Sequence, residues 1–133
     1  MTKHEEFLVP VSIAKKLKEI GFNEPCLFVL NPHNTLILSS EVHDKGIIDI
    51  RKIKPRSNGK LGEDFCSVPT YEQVFAWFRE KGLYGNIEAG SKYNSIYIFS
   101  DSDLDMRNNI YPTYEEAREE LLKRLIKIYK ENI

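Results

Sequence analysis

The chain reads as an α+β fold: an antiparallel sheet of about four strands, made of two hairpins, with three helices, in the order helix-strand-strand-helix-strand-strand-helix. Three observations predict this. Two threonine-led capping boxes stand before apolar runs of helical period. Helix, glycine and paired short β-prone runs occur in the same order in Val11 to Ser39 and in Tyr71 to Ser100. Strand-helix-strand crossovers of regular spacing are absent, which favours antiparallel over parallel pairing.

The first helix is predicted from about Val11 to Gly21, with Ile13, Ala14, Leu17 and Ile20 on one stripe and Lys15, Lys16, Lys18 and Glu19 on the other face. Ser12 suits its N-cap and Gly21 its stop. Cys26 to Leu30 and Thr35 to Leu38 then form a hairpin about the turn formers Asn31-Pro32-His33-Asn34. Ile47 to Ile50 is a candidate edge strand within the long connection from Glu41 to Val68. Arg51 to Lys60 reads as an exposed, mobile loop.

The second helix opens on Thr70 as N-cap with Gln73 three residues later, and Gly82 closes it. Its Val74, Phe75, Trp77 and Phe78 make an aromatic face too large to leave wet. Ile87 to Ala89 and Ser95 to Phe99 supply the second pair of strands, joined by Gly90-Ser91-Lys92-Tyr93-Asn94. The last helix repeats the capping device with Thr113 and Glu116. Ala117, Leu121, Leu125 and Ile128 form its stripe, broadened by Leu122 and Tyr129, and cations gather toward its C-terminal turns. The shared plan of the two halves raises a structural duplication, with residue identity between them low. The expected organisation is a single α+β domain over residues 1–133 with helices on one face of the sheet.

A chain of 133 residues with 41% hydrophobic and 29% charged residues can bury its own core. Nineteen basic against twenty acidic residues leave a formal charge of -1, so no global field draws the molecule to nucleic acid or an anionic membrane. Cys26 and Cys66 stand in no metal or redox spacing and are expected as reduced, half-buried thiols. The charged segment Met1 to Glu6 is followed by too few apolar residues for a signal peptide, and no run approaches the roughly 20 apolar residues of a membrane helix. The expectation is a cytoplasmic protein with no membrane partner.

The strongest local feature is the stretch holding Arg51, Lys52, Lys54, Arg56 and Lys60, five cations in ten residues without an acid. Such a loop can neutralise backbone phosphates without sequence specificity. The favoured reading is a solvated loop or a cationic sheet edge, because the chain is near neutral and the loop lacks interleaved aromatics. Asp101-Ser102-Asp103-Leu104-Asp105 alternates carboxylates like the start of a calcium loop, but Met106 and Pro112 stand where glycine and the bidentate glutamate belong, so a polar loop is expected. His4, His33 and His43 have no partner spacing for zinc, and neither cysteine carries a local nucleophile signature. No glycine-rich phosphate loop or Gly-x-Ser-x-Gly elbow occurs. No cofactor, metal site or catalytic residue is therefore assigned. Seven tyrosines and Trp77 exceed what a small core uses; they read equally as an interaction face near the second hairpin or the last helix, with Tyr93, Tyr97 and Tyr111 as candidate protein contacts, or as a cap on a thin sheet with hydroxyls reaching water.

The segments from Ala14 to Cys26, Val68-Pro69-Thr70 with Trp77-Phe78-Arg79-Glu80, and Thr113 to Ala117 together resemble a group of small uncharacterised proteins encoded by phages and prophages of Bacteroides-type gut bacteria. The matching pieces are helix caps and core faces. The group tends to have Leu where this chain has Phe78, and its middle loop varies, so the basic stretch is not carried over. The resemblance implies a genomic setting and no activity. The expected function is a small non-enzymatic interaction domain with a protein partner whose identity the sequence leaves open. A backbone-directed nucleic-acid binder using residues 51–60 comes second, and an enzyme with a shifted acid or base in a concave pocket third.

Overall fold

The computed structural model describes residues 7–42, 48–101 and 104–132, with side chains outside 40–52 and 102–108. In chain order the elements are α1 (Val11–Glu19), β1 (Phe28–Leu30), β2 (Leu36–Leu38), β3 (Ser40–Val42), β4 (Ile48–Ile53), a 3-10 turn (Asn58–Lys60), β5 (Cys66–Val68), α2 (Tyr71–Glu80), β6 (Leu83–Glu88), β7 (Asn94–Ser100), β8 (Leu104–Tyr111) and α3 (Tyr114–Glu131). Among the described residues the fold is α+β with three helices and antiparallel strands, as the sequence predicts. The single four-stranded sheet is not what forms. Among the described residues there are two three-stranded sheets, ordered β2-β1-β5 and β6-β7-β8, and the pair β3-β4. The chain divides into two compact units, Met1–Tyr71 and Glu72–Ile133.

In the first unit α1 buries Ile13, Ala14, Leu17 and Ile20, the whole predicted stripe, and packs on β5. Its N-cap is Pro10, which makes no side-chain capping bond, in place of the expected Ser12. Pro10 keeps the extended backbone of an N-cap, and its carbonyl accepts the Ala14 N–H at 2.9 Å, starting the helix without a hydroxyl cap. Gly21 follows the helix at φ 95°, a conformation that costs any other L-residue about 1–2 kcal/mol. The β1–β2 hairpin closes as expected over Asn31 to Asn34: Asn31 Oδ1 accepts from the backbone N–H groups of His33 and Thr35, and Asn34 sits at φ 60°.

The predicted loop 51–60 is built instead from the end of a strand, a β-bridge and a 3-10 turn. Arg51 and Lys52 belong to β4, Arg56 exchanges both backbone hydrogen bonds with Cys26, and Lys60 ends the 3-10 turn. Asn58 holds this turn down, donating Nδ2 to the Phe22 carbonyl at 2.9 Å and accepting the Ser67 N–H on Oδ1 at 2.8 Å. The Asn23 side chain accepts the Gly59 N–H at 2.6 Å from the other side. Cation spacing in sequence is silent about such anchors. The expected edge strand is realised from Ile48, paired with β3, while Ile47 lies outside the described residues.

α2 begins at Tyr71, the last residue of the first unit, directly after Thr70, runs on in the second unit and ends before Gly82, at φ 81°. Val74, Trp77 and Phe78 are buried, and Trp77 and Phe78 meet Tyr129 of α3 edge-on at 5.2 and 6.1 Å between ring centroids. α3 opens on its capping threonine, with Thr113 Oγ1 accepting the Glu116 N–H at 3.1 Å, a bond worth about 1 kcal/mol. Ala117, Leu121, Leu122, Leu125 and Ile126 are its buried side chains, so the buried stripe is rotated slightly from the predicted one, which counted Ile128. The helix lies on one face of β6-β7-β8. Gly85 lets it come close: a Cβ there would stand 2.9 Å from Leu125 Cδ1.

Of the expected polar loop Asp101 to Asp105, Asp101 follows β7 outside any strand, Leu104 and Asp105 belong to β8, and Ser102 and Asp103 lie outside the described residues. Asp and Asn are poor strand formers, and the pairing with β7 overrides their preference. The two halves share helix, glycine and hairpin, but the third strand joins the first hairpin strand in one unit (β5 on β1) and the second in the other (β8 on β7), so the sheets do not repeat one another's topology.

Candidate functional site: the open face of the second sheet

Along β7 the side chains alternate. Asn94, Ile96 and Ile98 are buried on the α3 side, whereas Ser95, Tyr97 and Phe99 point to the opposite face. The register fixes what stands beside them: Tyr84 faces Phe99, Asn86 faces Tyr97, Glu88 faces Ser95 on one side, and Ile110 faces Ser95 on the other. Tyr84, Phe99 and Ile110 remain 36%, 38% and 55% exposed. A sheet with one solvated face ordinarily turns polar residues outward. This one turns out Tyr84, Tyr97, Phe99 and Ile110.

Both tyrosines of the face are held by carboxylates. The Tyr84 hydroxyl donates to Asp101 Oδ1 at 2.9 Å and the Tyr97 hydroxyl to Glu88 Oε2 at 3.2 Å. The bond to Asp101, and the negative charge beside it, raise the Tyr84 phenol above its ordinary pKa. Asp101 itself is placed by the backbone, its N–H donating to the Gly82 carbonyl at 3.2 Å.

Of the three tyrosines singled out from sequence, Tyr97 lies on the open face. Tyr93 stands 70% exposed on the turn between β6 and β7, a turn pinned by the buried Asn94, whose Oδ1 accepts the Gly90 N–H at 3.0 Å. Tyr111 lies on the other side, opposite Asn94 in the ladder, with its hydroxyl 3.5 Å from Arg124 of α3. Tyr84, Phe99 and Ile110 are additional members of the surface. The alternation of Ile96 and Ile98 with Tyr97 and Phe99 was readable in the sequence and marks Phe99; Tyr84 was hidden because Gly85 and Asn86 disguise the first half of β6.

The five cations of 51–60 are distributed along β4, the following segment and the 3-10 turn. Lys54 and Lys60 are exposed and Arg56 is half-buried, while the side chains of Arg51 and Lys52 lie outside the described residues. His33 is exposed in the β1–β2 turn, and His4 and His43 lie outside the described residues. No group of three or more His, Cys, Asp or Glu side chains suited to a metal ion occurs among the described residues.

Cys26 and Cys66 are free and buried, more deeply than expected. Burial pushes the Cys26 thiol up to about 11, against a smaller opposing effect of the nearby Ser67 side chain. Burial also raises Cys66, opposed by Lys18 and Lys15. A cavity of about 300 Å³ in the first unit is lined by Leu8, Val9, Leu30, Leu36, Val68 and their neighbours, none of them titratable. No described helix is long and apolar enough to cross a membrane. No protein-family model, no curated protein and no solved structure matches the chain.

Proposed function

We propose that this chain is a non-enzymatic interaction domain that holds a protein partner on the open face of β6-β7-β8. The observation that carries the reading is the exposure of Tyr84, Phe99 and Ile110 beside Tyr97 on a face opposite to the one α3 covers. Aromatic side chains of this kind supply large contact area for little lost conformational freedom and are enriched at protein contacts. A phage or prophage setting in a bacterial cytoplasm, suggested by the resemblance of the helix caps and core faces, makes a host protein the first partner class to test.

The test is affinity capture from a lysate of a Bacteroides-type bacterium with nuclease present, comparing the tagged chain with Tyr97→Ser/Phe99→Ser and with Lys54→Glu/Lys60→Glu. The reading expects a polypeptide held at near-equal stoichiometry by the native chain and the lysine variant and lost by the aromatic variant. Equal capture by all three proteins rejects the face as the contact. Binding that disappears on nuclease treatment and with the lysine variant transfers the role to the basic stretch and to nucleic acid.

A further inference from the structure

We propose that the open face of β6-β7-β8 takes a cationic polypeptide segment, seating lysine or arginine side chains over Tyr84, Tyr97 and Phe99 and pairing them with Glu88 and Asp101. This rests on the reading of the face as the contact surface and adds the chemistry of what it contacts.

Charge and ring geometry carry the inference together. Glu88 and Asp101 stand at opposite ends of the aromatic row, Glu88 at the end of β6 and Asp101 beside Gly82, where β6 begins. Glu88 lies six positions beyond Gly82, about 20 Å at the rise of a β-strand. Each carboxylate accepts a tyrosine hydroxyl, and among the described residues neither pairs with a cation. Tyrosine and phenylalanine rings present negative faces, which attract ammonium and guanidinium groups.

The two carboxylates also exclude other occupants. A phosphate backbone laid on these rings would approach both negative charges. A purely apolar partner would strip water from them without compensation. An extended segment with basic residues five to six positions apart reaches both carboxylates while its intervening residues cross the rings.

The experiment is fluorescence anisotropy at low salt on the full chain, with three fluorescein-labelled probes: a peptide alternating arginine and glycine, its glutamate-glycine counterpart, and a ten-residue oligothymidine. Binding of the arginine peptide alone is expected. Glu88→Gln/Asp101→Asn should weaken it about tenfold, and Tyr97→Leu, which keeps an apolar side chain but removes the ring, several-fold. The charge-matched control Glu63→Gln/Asp64→Asn, at exposed positions of the first unit, should leave it within about twofold. Thermal melts confirm that each variant is folded.

Equal weakening by the control pair would reduce the effect to net charge and overturn the proposal. So would failure of the arginine peptide to bind, or preference for the oligothymidine. If the peptide fails while Tyr97→Ser/Phe99→Ser still abolishes capture from lysate, the partner chemistry is wrong and the contact face stands. If capture is indifferent to that variant, the face itself is wrong.

Discussion

Tyr84 and Asp101 are joined by a 2.9 Å hydrogen bond that ties the start of β6 to the residue after β7. Ionising the phenol would remove its donated proton and set a second negative charge beside the carboxylate, so the Tyr84 pKa is raised. With the folded value above the unfolded one, the bond is intact below the ordinary tyrosine range and is lost as pH rises through the folded value. A spectrophotometric alkaline titration should therefore show one phenol ionising late. Asp101→Ala should bring that phenol back toward the ordinary range, and an unchanged titration curve would contradict the assignment.

Asn58 serves the first unit as a two-sided clamp. Its carboxamide satisfies the Ser67 N–H on the outer edge of β5 and reaches the Phe22 carbonyl after α1. Asn58→Ala leaves the buried Ser67 without that partner and should cost about 2 kcal/mol. Urea unfolding should show a lower midpoint with an unchanged slope. Asn58→Asp keeps an acceptor for Ser67 but sets a carboxylate oxygen against the Phe22 carbonyl, so it should not recover the native midpoint.

The Cys26 thiol is held neutral by burial, with its pKa pushed up to about 11 from an ordinary 9.0. Its contribution to stability is complete below the unfolded value and is lost as pH rises toward the folded one, because the unfolded chain then gains a thiolate that the folded chain cannot form. Stability should fall between about pH 9 and 11, and Cys26→Ala should flatten the curve there. Alkylation by iodoacetamide, read by mass spectrometry, should be slow in the native chain and fast in urea at the same pH. Fast native alkylation would show the thiol to be accessible.

The capping residue of α3 illustrates what could be read without coordinates. Thr113 accepts the Glu116 N–H as the Thr-x-x-Glu spacing requires, and Ile13, Ala14, Leu17 and Ile20 of α1 are buried as their period demands. These relations span a few residues, so a short window of sequence contains both partners. Strands that depend on partners far along the chain were missed. β5 is three residues long and is recognisable only through its pairing with β1, and β8 carries Asp105 and Asn109 against their propensity because β7 offers it a ladder. The candidate site divides the same way: Tyr97 came from composition and position, while its company of Tyr84 and Ile110 came from register.

By itself the sequence determined an α+β chain, its three helices with their buried stripes, two of its turns, and a surplus of aromatic side chains. Only the tertiary structure decided that the strands divide between two sheets of different topology, that the basic stretch is anchored by Asn58 and Cys26, and that Tyr111 turns toward α3 while Tyr84, Tyr97 and Phe99 share the open face. The physical reason is range. Helical period and capping act within about four residues, whereas pairing and register are settled by which distant edges meet, and a one-residue change of register would move every one of these rings to the other side of the sheet.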